Sequence, residues 1–298
     1  MYILKAPLPK REDMFSALLG NSFELRFVTF WWFGKDCMTI YVWHTGHQIN
    51  EHISHALHAG IPQNILKHTE WADNYIGSTN KHVAVGYGIL RGTGDIFHHN
   101  AHHGIDYYEV DRGYINPNHF DGHYRISKNG MQAKYVEKDL PSDRLDKLKF
   151  KRENWFNPKG KIIVCPPSDY IENYYRMPHK SWEYTFKRFP LNVEDSNVYK
   201  IRNKSDTTPL EYDLKDAKCV LTFNSNVAVD ATIKGIPVLA GWPSIVDGWS
   251  PISRQDILQD KLQPPTDEQI NKLLRFISYN QFTLEEIRNG TAWRLLHE

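Results

Sequence analysis

The chain has 298 residues, of which 36 are Lys or Arg and 35 are Asp or Glu, so its formal net charge is +1 at pH 7. That balance excludes a strongly basic nucleic-acid-binding protein, although it leaves room for a local basic groove. The length suits two domains of about 150 residues each better than one core. With 41% hydrophobic and 24% charged residues, we expect a folded chain.

The three cysteines are Cys37, Cys165 and Cys219, and none belongs to a CxxC pair. This usage argues against a disulfide framework or a zinc site and favours a reducing compartment. The first residues contain no apolar signal core, and no apolar run approaches the ~20 residues of a membrane span. We therefore expect a cytoplasmic protein with no membrane attachment, and the oligomeric state stays open.

Strand and helix patterns alternate along the first half of the chain. Apolar runs end at turn residues, often glycine, and polar helix-forming stretches follow, which is typical of α/β units. The elements predicted here are strands at 23–33, 39–43, 83–88 and 105–111, and helices at 48–59 and 91–101.

Four histidines between residues 98 and 103 form two pairs, each with a spacing of four that places both rings on one helix face. A metal site needs a third and fourth ligand, which the sequence does not identify. We therefore expect no metal site here.

Asp111 closes the predicted strand 105–111. Ligands of open α/β sheets gather beyond the carboxyl ends of strands, so Asp111 is a candidate general base. The alternative is a turn-forming or helix-capping Asp. Residues 134–155 are highly charged and predict a solvated helix plus linker. The division expected from this linker is a first domain at 1–155 and a second at 156–298.

The second half restarts with a buried strand at 161–165, and a helix-like stretch follows around 181–182. A further strand is predicted at 197–202. Arg202 and Lys204 lie at its end, where cations could neutralise a diphosphate, although Lys204 could equally be a solvated surface residue.

Residues 220–241 contain the most informative stretch of the chain. An apolar strand ends at Asn224-Ser225-Asn226, a helix of small residues follows, Gly235 ends it, and a second strand begins. Free N–H groups at such a helix start favour an anion, typically a phosphate. The alternative is an ordinary βαβ unit with a good N-cap. Amphipathic helices are predicted at 267–276 and 284–296.

Residues 161–294 resemble the nucleotide-binding half of GT-B glycosyltransferases, most closely the capsule-polysaccharide-type and phage-encoded members. The likeness is carried by Pro166-Pro167-Ser168, by Arg202-Asn203-Lys204, and by 222–238, which follow the pattern T-x-N-S-x-V-x-x-E-A-x-x-x-G-x-P-V. Asp230 stands where that pattern has Glu. In the first half, 106–114 and 124–129 resemble segments of the same phage-type proteins.

This resemblance implies an α/β fold with two Rossmann-like domains facing a cleft. It also implies transfer of a sugar from a nucleotide-sugar, with a UDP-sugar as the expected donor and no metal or other cofactor. Backbone N–H groups at 225–226 with Arg202 and Lys204 would stabilise the diphosphate, and Asp230 would contact the ribose. The expected donor-binding residues are Pro167, Ser168, Tyr170, Arg202, Lys204, Asn224, Ser225, Asn226 and Asp230.

On the acceptor side, Asp111 would act as the base of an inverting enzyme or bind the acceptor in a retaining one. Some phage members glycosylate hydroxymethylated pyrimidines, which suggests double-stranded DNA with modified bases as the acceptor. A surface polysaccharide or other glycan is the alternative acceptor, and a nucleotide-sugar epimerase or a non-catalytic binding module are alternative functions. The expected acceptor-binding residues are Gly88, Arg91, Arg112, Tyr114, Tyr124 and Arg125.

Overall fold

The computed structural model describes residues 39–75, 82–118, 121–177, 198–241, 244–250 and 252–298. Two β-sheets with helices packed against them form a mixed α/β fold. The strand predicted at 23–33 and the helix-like stretch at 181–182 lie outside the described residues. The strands are β1 Thr39–His44, β2 Leu66–Trp71, β3 Val83–Tyr87, β4 Tyr107–Arg112, β5 His123–Lys128, β6 Lys161–Cys165, β7 Tyr199–Ile201, β8 Ala217–Thr222, β9 Val238–Ala240 and β10 Gln281–Thr283.

Within the described residues, the first sheet has six strands in the order β10-β5-β4-β3-β1-β2. Strands β1 to β4 are parallel, whereas β5 and β10 run antiparallel to their neighbours. Parallel neighbours need crossover connections, and helices provide them between β1 and β2 and between β3 and β4. The helices are α1 Gln48–Gly60, α2 Thr93–His102, α3 Asp169–Tyr174, α4 Leu210–Leu214, α5 Val227–Ile233, α6 Arg254–Leu258, α7 Asp267–Tyr279, α8 Leu284–Arg288 and α9 Thr291–His297.

The second sheet has four parallel strands in the order β7-β6-β8-β9. Its central strands read as continuous apolar runs because a parallel sheet is covered on both faces. Val220 and Leu221 of β8 show this directly, since they belong to separate buried clusters on the two faces of the sheet. The strands predicted at 39–43, 83–88 and 161–165 match the structure to within one residue.

The last segment of the chain returns to the first sheet. Strand β10 pairs with β5, and Ile287 and Ala292 pack in the same buried cluster as Ile40 of β1. The single helix predicted at 284–296 is instead two short helices, because Gly290 between them has a φ of 84°. The division into two domains at residue 155 stays a prediction. The last segment of the chain falls in the predicted second domain but packs against the first sheet.

The solvated helix predicted within 134–155 is wrong. Apart from one 3-10 turn, Leu145–Lys147, this part of the chain is irregular. Several of its apolar side chains are half-buried against the core of the second sheet, among them Leu140, Phe150 and Trp155. These apolar residues stand among many charged ones and lack helical spacing. The sequence pattern therefore did not predict that they pack on the core of the second sheet. In the part of the chain that the structure describes, no helix combines the length and apolar character of a membrane span.

Candidate functional site

A cleft of about 800 Å³ lies between the two sheets, at the carboxyl ends of their parallel strands. Loops that follow β1, β3 and β4 line one side, and loops that follow β6, β7 and β8 line the other. Most of the residues predicted from sequence meet in this cleft. They are Gly88, Arg91, Asp111, Arg112, Arg125, Pro167, Ser168, Tyr170, Arg202, Lys204, Asn224, Ser225 and Asn226.

Two residues predicted to bind the acceptor do not line the cleft. Tyr124 is 0% exposed and packs edge-on against Tyr87 in the core of the first sheet. Neighbouring residues of a strand point to opposite faces, so Tyr124 is turned away from the side that Arg125 faces. Tyr114 is also buried, and its hydroxyl accepts a hydrogen bond from the Ala133 N–H at 3.2 Å. The buried positions of these two tyrosines therefore do not support the acceptor contacts predicted for them.

Asp230, predicted to contact the ribose, faces a different depression of about 290 Å³, together with Glu211 and Lys234. It comes four residues after Asn226, inside α5 and away from the loops that line the large cleft. Burial raises the pKa of Asp230 to about 6, although Lys234 opposes the shift. The donor role predicted for Asp230 is therefore not supported by its position.

Asp111 and Arg125 form an ion pair on the floor of the cleft. The Arg125 guanidinium donates to Asp111 Oδ2 at 2.7 Å, and the two residues face each other across the β4–β5 ladder. The Arg125 side chain is only 7% exposed, whereas that of Asp111 is 31% exposed. Arg125 therefore orients Asp111 from below, and the carboxylate keeps an open side towards the cleft.

The same arginine connects the two sides of the cleft. Its guanidinium also donates to Asn226 Oδ1 at 3.4 Å, and Asn226 Nδ2 donates to the Gly113 carbonyl oxygen at 3.1 Å. Gln132 adds a second connection, since its Nε2 donates to the Asn224 carbonyl oxygen at 2.6 Å. Asn226 thus joins α5 to the end of β4 through its side chain.

Glu109 lies two residues before Asp111 on β4 and is 1% exposed. Neither of its carboxylate oxygens has a hydrogen-bond partner within the described ranges. Burial raises the pKa of Glu109 well above its ordinary value, and Arg125 opposes part of that shift. No hydrogen bond joins Glu109 to Arg125 in the described residues, and the Arg125 guanidinium donates to Asp111 instead.

The cations on the β7 side differ in their surroundings. Arg202 donates to Asp213 Oδ2 at 2.5 Å and to Thr208 Oγ1 at 3.1 Å, while Lys200 pairs with the other Asp213 oxygen. Asp213 is buried, so much of the charge of Arg202 is compensated inside the protein. Lys204 is exposed and has no ion-pair partner among the described residues, which makes it the more available cation.

Helix α5 has only seven residues, so the charge at its start is less than that of a long helix. Its first N–H, from Val227, donates to Ser225 Oγ at 3.3 Å. Anion binding at 224–226 would therefore depend on the polar side chains and on nearby cations as well as on the backbone.

The sequence did not single out the β1–α1 loop, which lines the cleft through Thr45, His47 and Asn50. Asn50 holds this loop in place, because its Oδ1 accepts from the Thr45 N–H at 3.0 Å and its Nδ2 donates to the Tyr87 carbonyl oxygen at 3.4 Å. The position of these residues just after a buried parallel strand was the signal that could have identified them.

The histidines of α2 serve packing contacts. His98 Nε2 lies 2.9 Å from the Tyr174 carbonyl oxygen, and its ring stacks on Tyr174. The rings of His99 and His103 stack on each other at 4.2 Å. No group of three or more His, Cys, Asp or Glu side chains in the described ranges is arranged to hold a metal ion.

No protein-family model matches the sequence, and no curated protein matches it. Two similar solved structures are transferases of Thermosulfurimonas dismutans. KpsC beta Kdo 2,4 transferase is 11% identical, with a TM-score of 0.40 over 83% of this chain and 92% of that chain. KpsC beta Kdo 2,7 transferase is 12% identical, with a TM-score of 0.41 over 87% and 100%.

A third similar structure is the open, ligand-free form of CD0873, a substrate-binding protein with adhesive properties from Clostridium difficile. It is 13% identical, with a TM-score of 0.26 over 79% of this chain and 98% of that chain. Identities and TM-scores this low do not define a family.

Proposed function

We propose that this protein is a glycosyltransferase of the GT-B type, with two Rossmann-like domains around the cleft. It moves a sugar from a nucleotide-sugar to an acceptor hydroxyl. One observation carries the proposal. A single cleft of about 800 Å³ has a polar, cationic wall at Lys204 and 224–226 and another wall that presents Asp111. A cleft of this volume accommodates a nucleotide-sugar.

The donor diphosphate binds the second sheet's wall. Five of the described cleft-lining residues are Lys or Arg and one, Asp111, is an acid, so the cleft favours an anionic ligand. Lys204 supplies a direct charge, and Ser225 and Asn224 supply polar groups. Stabilising the departing diphosphate by fixed charges and dipoles is the main catalytic task in such a transfer.

Asp111 faces the acceptor. In an inverting reaction its carboxylate takes the proton of the acceptor hydroxyl while that oxygen bonds to the sugar carbon and the nucleotide diphosphate leaves. Arg125 acts through Asp111 as a positioning residue. In a retaining reaction Asp111 would bind the acceptor hydroxyl without removing its proton.

The acceptor is either a hydroxymethylated base of DNA or a glycan. A DNA acceptor requires several cations that can reach phosphates. In the cleft, Arg125 and Arg202 are ion-paired inside the protein, which leaves Arg91, Arg112 and Lys204 as the other cations of the lining. The glycan acceptor is favoured by the feature described in the next subsection.

A thermal-shift screen of nucleoside diphosphates tests the proposal. A nucleotide present at ~100 times its dissociation constant stabilises the fold by about 2.7 kcal/mol and raises the melting temperature. The stabilising nucleotide then selects the nucleotide-sugars to be incubated with and without acceptors. Isomerised donor in the absence of acceptor would indicate an epimerase, and no shift with any nucleotide would contradict the proposal.

A further inference from the structure

An exposed tryptophan stands beside the cleft, at the carboxyl end of β2. Trp71 is 43% exposed and ends the edge strand of the first sheet. It pairs in register with His44 of β1, and the two rings lie 4.1 Å apart. Both residues therefore occupy the same edge of the sheet as the cleft.

The β1–α1 loop joins this ring to the cleft. Gly46 lies against the indole, so that a Cβ at this position would be 3.5 Å from Trp71 Cζ3. The residues on either side of Gly46, Thr45 and His47, line the cleft. Trp71, His44 and Gly46 form one surface that extends the cleft wall outwards, and we call it the Trp71 platform.

Thr45 gives a second, independent indication of a ligand. It is 6% exposed and lines the cleft, and its hydroxyl has no hydrogen-bond partner in the described part of the chain. A buried hydroxyl without a partner is unfavourable, and a hydrogen bond to a ligand hydroxyl would relieve this. Thr45 lies between His44 and Gly46 in the chain, so the unsatisfied group belongs to the same loop as the platform.

Besides His44, the polar side chains next to Trp71 along the chain are two acids and an amide. Glu70 Oε1 accepts from Asn74 Nδ2 at 2.8 Å and from the Trp71 N–H at 3.2 Å. The hydrogen bond from Asn74, followed by that from the Trp71 backbone, lowers the pKa of Glu70, so its carboxylate is ionised at neutral pH. Asp73 is exposed in the same turn. This local negative charge repels a nucleic-acid backbone.

We infer that the Trp71 platform is a subsite for a neutral glycan acceptor. An indole face stacks on the apolar C–H face of a pyranose ring, as aromatic rings bind amphipathic partners. Glu70, Asp73 and Asn74 accept and donate hydrogen bonds to the sugar hydroxyls around it. The inference rests on the proposed glycosyltransferase activity and specifies its acceptor class as a glycan.

Binding to immobilised neutral oligosaccharides of glucose, galactose and N-acetylglucosamine tests the subsite, with a short DNA duplex measured at the same salt concentration. We expect saccharide binding by the full chain, weakened about tenfold by Trp71→Ala, since such a stacking contact is worth about 1.4 kcal/mol. Trp71→Phe should retain most of the affinity. Leu66→Ala is the matched control, because Leu66 is exposed at the other end of β2.

Three results would overturn the subsite. They are DNA binding that Trp71→Ala abolishes, equal losses with Leu66→Ala, and no retention of any of these saccharides at millimolar concentration. The nucleotide thermal shift is a separate readout, which Trp71→Ala should leave unchanged. A protein that is stabilised by nucleotides but binds no saccharide would refute the subsite alone, whereas the absence of any nucleotide shift would refute the proposed function.

Discussion

The Arg125 guanidinium donates to the Asp111 carboxylate at 2.7 Å from a nearly buried position below the cleft. Hydrogen bonds from Arg125 Nε to the Met131 carbonyl oxygen and from Nη1 to the Arg112 carbonyl oxygen, both 3.1 Å, fix the plane of the guanidinium. One oxygen of Asp111 is therefore held by the protein. The other oxygen, Oδ1, accepts a hydrogen bond from the Arg112 N–H.

Asp111→Asn should reduce sugar transfer at least about 100-fold, because an amide cannot take the acceptor proton. Nucleotide binding should persist, since Asp111 lies on the opposite wall. Initial rates and nucleotide thermal shifts measure the two effects. Asp106→Asn is the control, because Asp106 forms an exposed ion pair with Lys128 just before β4. Unchanged transfer by Asp111→Asn would refute a role as general base and fit a retaining reaction.

Lys204→Ala and Arg202→Ala should have different effects, although both side chains line the cleft. Removing the exposed Lys204 should weaken nucleotide binding about tenfold at low salt, with little change in stability. Removing Arg202 leaves Asp213, 3% exposed, with Lys200 as its remaining ion-pair partner in the described chain. We expect about 1–3 kcal/mol lower stability in chemical denaturation. Equal stability of the two variants would contradict this assignment.

The stability of the protein should depend on the ionisation of Asp230. Its pKa is about 6 in the folded protein, against about 3.9 in an unfolded chain. Between these values the folded state binds more protons, so stability falls as the pH rises from about 4 to about 6. Asp230→Asn should remove this destabilising contribution, which is on the order of 3 kcal/mol at pH 7.

Denaturation curves at several pH values would measure the Asp230 contribution. The exposed Asp139→Asn should leave the pH dependence unchanged. A wild-type profile that Asp230→Asn does not alter would show that the carboxyl is solvated in the folded protein.

Gly60→Ala should destabilise the contact between α1 and α8. A Cβ at residue 60 would lie 1.8 Å from the Ile287 carbonyl oxygen, so one helix must move. We expect a loss of about 2–3 kcal/mol in the free energy of unfolding. Gly130→Ala is the control, since its Cβ would meet its nearest neighbour at 3.6 Å. A Gly60→Ala melting temperature equal to that of the control would show that the helices adjust freely.

Local patterns were sufficient to predict several of the strands, whereas the cleft was predicted from the resemblance to GT-B glycosyltransferases. The apolar runs 39–43 and 161–165 are strands because both faces of a parallel sheet are covered. The carboxyl ends of the parallel strands of both sheets face the same cleft, which is why polar residues of both halves line it. The turn at 224–226 lies between β8 and α5 as predicted, because the apolar run before it is a buried strand.

The errors arise from contacts between distant parts of the chain. Tyr124 was predicted to face the acceptor with Arg125, but strand alternation and the pairing of β5 with β10 place it in the core. The pairing of Arg202 with Asp213 depends on how α4 packs beside β7. Asp230 lies inside α5 and lines the smaller depression, a placement that the motif spacing alone does not specify.

The return of the chain to the first sheet has a consequence for dividing the protein. A cut at residue 155 gives two fragments, and the second carries β10, α8 and α9, which complete the sheet of the first. The first fragment alone would expose the edge of β5 and the apolar surface that covers Ile287 and Phe282. When the two fragments are mixed, they should reassemble through the pairing of β5 with β10 in the first sheet. The hydrogen bonds between the two walls of the cleft should add to this contact.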